Sequence, residues 1–537
     1  MKNLFSTNVN SLKKLVNLFD EESVLKQTTI LTALQALKLP GGKPLLHYYD
    51  LLIFICAYPA NQQTKTLAEK ELKRITAFAR KNKNKKDILI ENEGLPFANI
   101  ITRFSPDFLG WLLQHKDVKV EFDSFYNPTL SLNNILNITL PAVLKAQTTA
   151  GLKNEELLEV LHIKPDQYAP YLLGQLKELD DRPLLKEFFM EGMNLYVKLV
   201  PKNSQFSRAS NRMPVKQPYY HHELLKKFDH EQLFNEPLPP VYILQENEKE
   251  HLHKVIKNAM ALMVREIDPS TFLQLETLRL YNLERGLSLA VYSMLPERQL
   301  PLETYFGFTF LKNGIPVSYG GIWTFGAMAK IGLHIFHPFR GGESGYLLCQ
   351  LMRVFIQGFG ITYFEIEPSQ YGLDNPDGIK SGAFWFYYKF GFKPVDHDLK
   401  VLAENEYHKI KTRKNYRSSE QTLLRFTESD IGISLGKKMP MNVIEITTKI
   451  FTVIHKSWQN NYSIAKEAAI NNFCKKVQID INSLSDVEKN ILVDIALWAF
   501  AMDIRKARQL QLMKKMVFEK TKDDYAYQQL LLDFFNV

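Results

Sequence analysis

At 537 residues the chain is too long for one ordinary core, so about two to four domains are expected. Its 45% hydrophobic and 23% charged residues exclude a disordered or fibrous chain, and three widely separated cysteines, Cys56, Cys349 and Cys474, exclude a disulfide scaffold and point to a reducing interior. The net charge of +9 is placed unevenly, which directs attention to its basic clusters rather than to its total.

The stretch from Met1 to Glu22 has no uninterrupted apolar core and no small-residue cleavage site. No export signal is therefore expected, and a cytoplasmic location is. From Ser11 to about Val200 the chain reads as amphipathic helices broken at Pro40-Gly-Gly-Lys-Pro44. The most apolar run, Leu51 to Ala60, is about half of what a bilayer span needs, so a buried helix and no membrane span are expected. Lys65 to Lys86 holds nine Lys or Arg against two Glu. Such a stripe can attract nucleic acid, but charge alone reads no bases and its end, Lys81 to Lys86, is asparagine-spaced and lacks aromatics, so a solvated helix face is the simpler reading. Lys202 to Pro218 is polar and serine-rich and reads as a linker. His221-His222 reads as a surface pair, since no second ligand set stands at metal-binding spacing.

A sheet is expected to open with Leu287–Met294. Two alternating segments, Tyr305–Leu311 and Ile315–Thr324, then flank Lys312-Asn-Gly314, the signal of a tight hairpin. Ile331–Phe336 alternates again and stops at His337-Pro-Phe, because proline cannot donate to a ladder. Arg340-Gly-Gly-Glu-Ser-Gly345 follows, then a helical run through Leu347, Leu348, Leu351, Met352 and Phe355. Strand, glycine-rich turn and helix bring backbone N–H groups and the positive end of a helix to one spot, which suits an anion. Ile361–Glu367 reads as a further strand, and Ala383–Phe392 as an aromatic helix ending in Gly391-Phe392. A second basic cluster runs from Lys409 to Arg417, and the residues from Val443 to Val537 read as helices with Trp458, Trp498 and Phe500 in their core.

The order of these elements resembles the GNAT superfamily of acyl-CoA-dependent N-acyltransferases over residues 304–395. That family binds a pyrophosphate with Gln or Arg, two residues, Gly, one residue, then Gly or Ala. Arg340 and Gly345 fit this signature, and Glu343 stands where the central glycine would be. A carboxylate in a diphosphate nest is costly unless it points outward or pairs with Arg340.

The resemblance implies a mixed α/β (α+β) fold: a central GNAT-like sheet in residues 241–436, a helical N-terminal region in 1–200, a linker-like segment in 201–240 and a helical C-terminal region in 437–537. It implies an acyl-CoA co-substrate, acetyl-CoA first, with no metal, and an amine as acceptor. The donor would lie on the strand end Ile335-Phe336 and on Arg340, Gly341, Gly342, Glu343, Ser344, Gly345 and Tyr346, with Lys380 beyond. Tyr387, four before Gly391, would protonate the leaving thiolate. The amine's proton needs a base, for which Glu367, His337 and His334 are the candidates in that order. A non-catalytic GNAT-like scaffold that has lost CoA binding is the alternative. A nucleic-acid-associated acyltransferase using the Lys65–Lys86 stripe is a third reading. Oligomeric state is not legible.

Overall fold

The computed structural model describes residues 2–85, 87–149 and 151–537. Their strands form two sheets. The smaller contains Ile100–Thr102 (β1), Val118–Phe125 (β2) and Leu195–Pro201 (β3), antiparallel in the order β1-β3-β2. It corrects the expectation of an all-helical N-terminal region. Leu195, Val197 and Leu199 of β3 all point into the core while the residues between them are half-buried, the period of two that a half-buried strand requires.

The larger sheet is the centre of the molecule, and the chain is mixed α/β as expected. It comprises Arg279–Asn282 (β4), Leu287–Ser293 (β5), Thr304–Lys312 (β6), Ile315–Phe325 (β7), Met328–Ile335 (β8), Tyr363–Ile366 (β9), Lys393–Pro394 (β10) and Ile431–Ser434 (β11). Their order is β10-β11-β9-β8-β7-β6-β5-β4, and β8–β9 is the one parallel pair in it. The β6–β7 hairpin turns at Asn313-Gly314, both at positive φ (45° and 79°), the backbone that a tight two-residue turn demands. The Asn313 side chain also ties the turn to the N-terminal region, donating to Ala57 O (2.9 Å) and accepting from Tyr219 N (2.8 Å).

Register divides the sheet into two faces. Phe306, Ile322 and Ile331 align on one face, covered by the helix Ser344–Phe359, where Phe306 meets Phe355 and Phe359. Tyr305, Trp323, Lys330 and Glu365 align on the other, with Tyr305 and Trp323 stacked at 4.1 Å. This alternation fixes which side chains can share a site.

One continuous core joins the N-terminal helices to this sheet. The helix Lys43–Ala57 brings Phe54 and Tyr58 onto Phe339, just ahead of the glycine-rich turn. Leu52 to Tyr58 are buried in that core, and among the described residues no helix is long and apolar enough to cross a membrane. Residues 202–218 contain no helix or strand, yet they are fastened throughout. Asn211 Nδ2 donates to Val255 O (2.9 Å), Met213 N to Gly314 O (2.9 Å), and Arg208 pairs with Asp50 (2.7 Å). They form a strap across the N-terminal region and the sheet, because tertiary partners satisfy their backbone in place of a ladder.

Helices from Val443 to Phe535 build a separate core around Trp498, into which the sheet inserts Leu302 and Phe325. Lys520 and Asp524 pair in the seam (3.1 Å), both almost fully buried, and Lys520 also donates to Glu303 O and Thr304 Oγ1. A buried pair is tolerated only when its remaining hydrogen-bonding capacity is used, as it is at this seam.

In the basic stripe, Lys65 pairs with Glu69, Arg74 with Glu71 and two carbonyls, and Arg80 lies over Phe97. The solvated-face reading therefore needs one amendment: part of the stripe is structural. Lys86, its last cation, lies outside the described residues.

Candidate functional site

The glycine-rich turn sits where β8 ends. His337–Phe339 makes one 3-10 turn, Gly341 adopts φ +83°, and the helix Ser344–Phe359 begins two residues after Gly342. A Cβ at Gly341 would meet nothing within 4 Å, so glycine is required there by its backbone and not by space. Gly345 is the opposite case: a Cβ would stand 2.4 Å from the Phe390 ring that packs on it. Leu347 N is the first amide of the helix to find a partner along the chain, Glu343 O at 3.0 Å. The amides before it, from Ser344 to Tyr346, belong to a first turn that has no intrahelical acceptors, next to Gly341 and the exposed Arg340.

Glu343 does not enter this nest. Its carboxylate is turned inward and accepts from Lys312 Nζ (2.6 Å), Arg285 (2.9 Å) and Leu225 N (2.9 Å). The side chains of Lys312 and Glu343 have no exposed surface. Arg340, the partner considered from the sequence, is not involved; it is largely exposed and lies 3.9 Å from Asp377. Only the backbone of Glu343 thus contributes to the turn. Burial pulls the Lys312 ammonium below the ordinary lysine range, while Glu343 opposes that shift.

Around this triad the N-terminal region closes tightly. Tyr58 lies under Lys312 (5.0 Å) and Tyr219 under Arg285 (5.6 Å). His221, expected on the surface, is instead buried among Phe19, Tyr58 and Tyr219, and neither ring nitrogen has a hydrogen-bond partner. Burial, with Lys312 and Arg285 nearby, pushes its pKa down to about 2, so the ring is neutral in the folded protein.

On the other side of the turn the sheet opens. β8 and β9 pair only from Met328↔Tyr363 to Lys330↔Glu365, and β8 then runs on to Ile335 paired with β7 but not with β9. In the gap, Leu333 N donates to Gln370 Oε1 (3.1 Å). Phe336 is buried and Ile335 half-buried at the mouth of this gap. Gln370 was invisible to sequence reasoning, since nothing local distinguishes a glutamine that follows a strand.

The candidate bases separate. Glu367 is half-exposed and 3.5 Å from Lys330, which also meets Glu365 (3.7 Å) and Asp430 (3.3 Å). Glu365 is buried, and burial raises its pKa despite Lys330. His334 lies on the same face, its ring stacked 5.2 Å from Tyr319 with an edge open to solvent; partial burial, then Arg265 and Arg340, lower its pKa. His337 is exposed in the 3-10 turn and shares no contact with the carboxylates. Lys330, Glu365, Glu367 and His334 therefore share the face opposite the Ser344–Phe359 helix, across the gap from the glycine-rich turn.

Tyr387 lies on the short helix Ala383–Tyr388, buried against Phe386 and Phe392 and close enough to Tyr371 to act on it electrostatically. Burial holds its phenol protonated well above the ordinary range. Tyr346 is buried and its oxygen accepts from Gln350 (2.7 Å), so it is a packing residue of the helix. Ser344 begins the helix. Lys380 stands on the helix Pro376–Ser381, joined to the turn through Asp377 and Arg340. Lys312, Arg285 and Lys330 were not anticipated. The available signal was a cation inside an apolar strand, at Lys312 and again at Lys330. Among the described residues no cluster of His, Cys, Asp and Glu could hold a metal ion.

Comparison with known proteins supplies no relative: no family model, no curated protein and no solved structure matches the chain.

Proposed function

We propose that this chain is a GNAT-like N-acyltransferase that moves an acyl group, acetyl first among the candidates, from acyl-CoA to an amine. The observation that carries the reading is Glu343: its inward rotation onto Lys312 and Arg285 keeps its carboxylate out of the glycine-rich turn, where the helix begins and Arg340 is exposed. The open β8–β9 gap beside that turn supports it further. The donor's diphosphate would rest on the turn and its thioester would lie in the gap, displacing Gln370 from Leu333 N. The amine would approach from the Lys330 face, where Glu367, and through it Glu365, can accept a proton. Its nitrogen lone pair attacks the thioester carbon; an amide N–C bond forms, the C–S bond breaks, and the thiolate takes the Tyr387 proton.

The test is thiol release from acetyl-CoA, followed against a panel of primary amines with wild type and Tyr387→Phe. Amine-dependent release is expected. Tyr387→Phe should slow it about tenfold, because a thiol of pKa about 8.5 is already a fair leaving group and needs only modest help. Release that no amine accelerates, or that is indifferent to Tyr387→Phe, removes the assigned chemistry. The Gln370 amide in the gap favours one second reading, a scaffold of the same fold in which the donor path is closed.

A further inference from the structure

A cleft of about 940 Å³ lies outside the turn and gap just described. It runs between the helices Pro376–Ser381 and Ala383–Tyr388 on one wall and, on the other, the end of the helix His397–Thr412 with the loop leading to Glu420–Phe426. These last two helices are an excursion between β10 and β11. They carry the Lys409–Arg417 cluster, which the proposed acyl transfer does not use.

The lining has two characters. Its floor is apolar and aromatic: Trp385, Phe386 and Tyr416 are half-buried, each keeping part of a ring at the surface. Tyr416 is held in place by its hydroxyl, which donates to Glu406 (2.9 Å), and Trp385 by stacking on Tyr407 at 5.9 Å. Its rim is cationic. Lys380, Lys389 and Arg417 line the cleft and form no ion pair among the described residues. Beyond the lining, Lys411, Arg413 and Lys414 are exposed and equally unpaired, whereas Lys409 pairs with Glu406 (2.7 Å). Two carboxylates, Asp374 and Glu420, also line the cleft. Within the lining three cations without an ion pair stand against two acids, and Lys411, Arg413 and Lys414 beyond it add to that positive excess, which suits the cleft to negative charge.

Rigid half-exposed rings beneath a strip of free cations match what a nucleotide presents, a flat base and a phosphate. They differ from the Lys65–Lys86 stripe, where Lys65, Arg74 and Arg80 are engaged by Glu69, Glu71 and Phe97. We propose that this cleft binds nucleotide units of a single-stranded nucleic acid, with bases on Trp385, Phe386 and Tyr416 and phosphates along Lys389, Arg417 and the loop. Asp374 and Glu420 would accept from exocyclic amino groups of the bases. This inference does not depend on the acyltransferase reading.

The experiment is fluorescence anisotropy with a labelled oligoadenylate RNA of about 12 nucleotides, on full-length wild type and on Lys389→Glu/Arg417→Glu. The double variant Lys73→Glu/Lys81→Glu, on an exposed helix face elsewhere, makes the same change in net charge and serves as control. Wild type should bind. The cleft variant should lose at least about tenfold, and its slope of log affinity against log salt should fall by about 1.4, two phosphate contacts at about 0.7 each. The control should change less than about threefold. Displacement by AMP would assign recognition to the nucleotide itself, and resistance to AMP would assign it to the polymer. Equal losses in both variants, no binding of either RNA or AMP by wild type, or stoichiometric displacement by desulfo-CoA would overturn the proposal.

Discussion

Glu343→Ala is expected to lower the stability of the folded protein by about 3–5 kcal/mol, the cost of breaking a buried ion pair from one side. The substitution strands Lys312 with no exposed surface, leaves Arg285 facing it, and removes the acceptor of Leu225 N. A buried Lys312 without a counter-charge, repelled by the half-buried Arg285, cannot rehydrate, so the loss should exceed that of an ordinary cavity at an exposed helix start. Glu343→Gln/Lys312→Met should recover most of it, because removing both charges together removes the desolvation cost along with the attraction. Urea unfolding of five proteins, wild type, Glu343→Ala, Glu343→Gln, Lys312→Met and the double variant, reads this directly. A shift below about 1 kcal/mol for Glu343→Ala would mean that the triad does not hold the turn.

The second large effect is one of pH. His221 is neutral when folded, with a pKa near 2, against about 6.5 when the chain unfolds. Below pH 6.5 the unfolded chain takes up a proton that the folded one refuses, so stability falls as pH falls through the window from 6.5 toward 2. At pH 5 this amounts to about 2 kcal/mol. His221→Phe keeps a ring among Phe19, Tyr58 and Tyr219 and abandons two nitrogens that have no partner. The variant should therefore lose about 2 kcal/mol less than wild type between pH 7 and pH 5. Parallel pH profiles for the two proteins would show that His221 is not the group responsible.

These two residues also mark where the sequence stops being informative. The β6–β7 hairpin, β8 and the turn leading into Ser344–Phe359 were legible because their signals are local: alternation, Asn-Gly, and glycine before an apolar helix. The direction of Glu343 was not, since it is decided by Lys312 and Arg285, which are 31 and 58 residues away in the chain. His221 read as a surface histidine for the same reason; its nest is assembled from Phe19 and Tyr58, far upstream. The strap at 202–218 has a linker's composition, and only its distant hydrogen bonds to Val255 and Gly314 distinguish it from one. The small sheet is a different failure. Leu195, Val197 and Leu199 alternate plainly, but the run of helices before them drew the whole region into one reading.

At the candidate site the sequence placed Arg340, Gly341 and Gly345 on one turn, and the structure gives the two glycines separate physical reasons to be there, backbone at Gly341 and space at Gly345. It grouped His337 with Glu367 and His334, whereas the sheet's alternation puts the last two on the Lys330 face and leaves His337 exposed in the turn. Gln370 and Lys330, which control the gap and the carboxylates, carry no motif at all.

The most direct measurement of the central claim is calorimetric titration of the full-length protein with desulfo-CoA, for wild type and for Arg340→Glu. Arg340 is exposed, so the variant should fold. Wild type should bind in the micromolar range, and the variant should lose at least about tenfold, or about 1.4 kcal/mol. No heat of binding from folded wild type, or equal affinity in the two proteins, would contradict that claim.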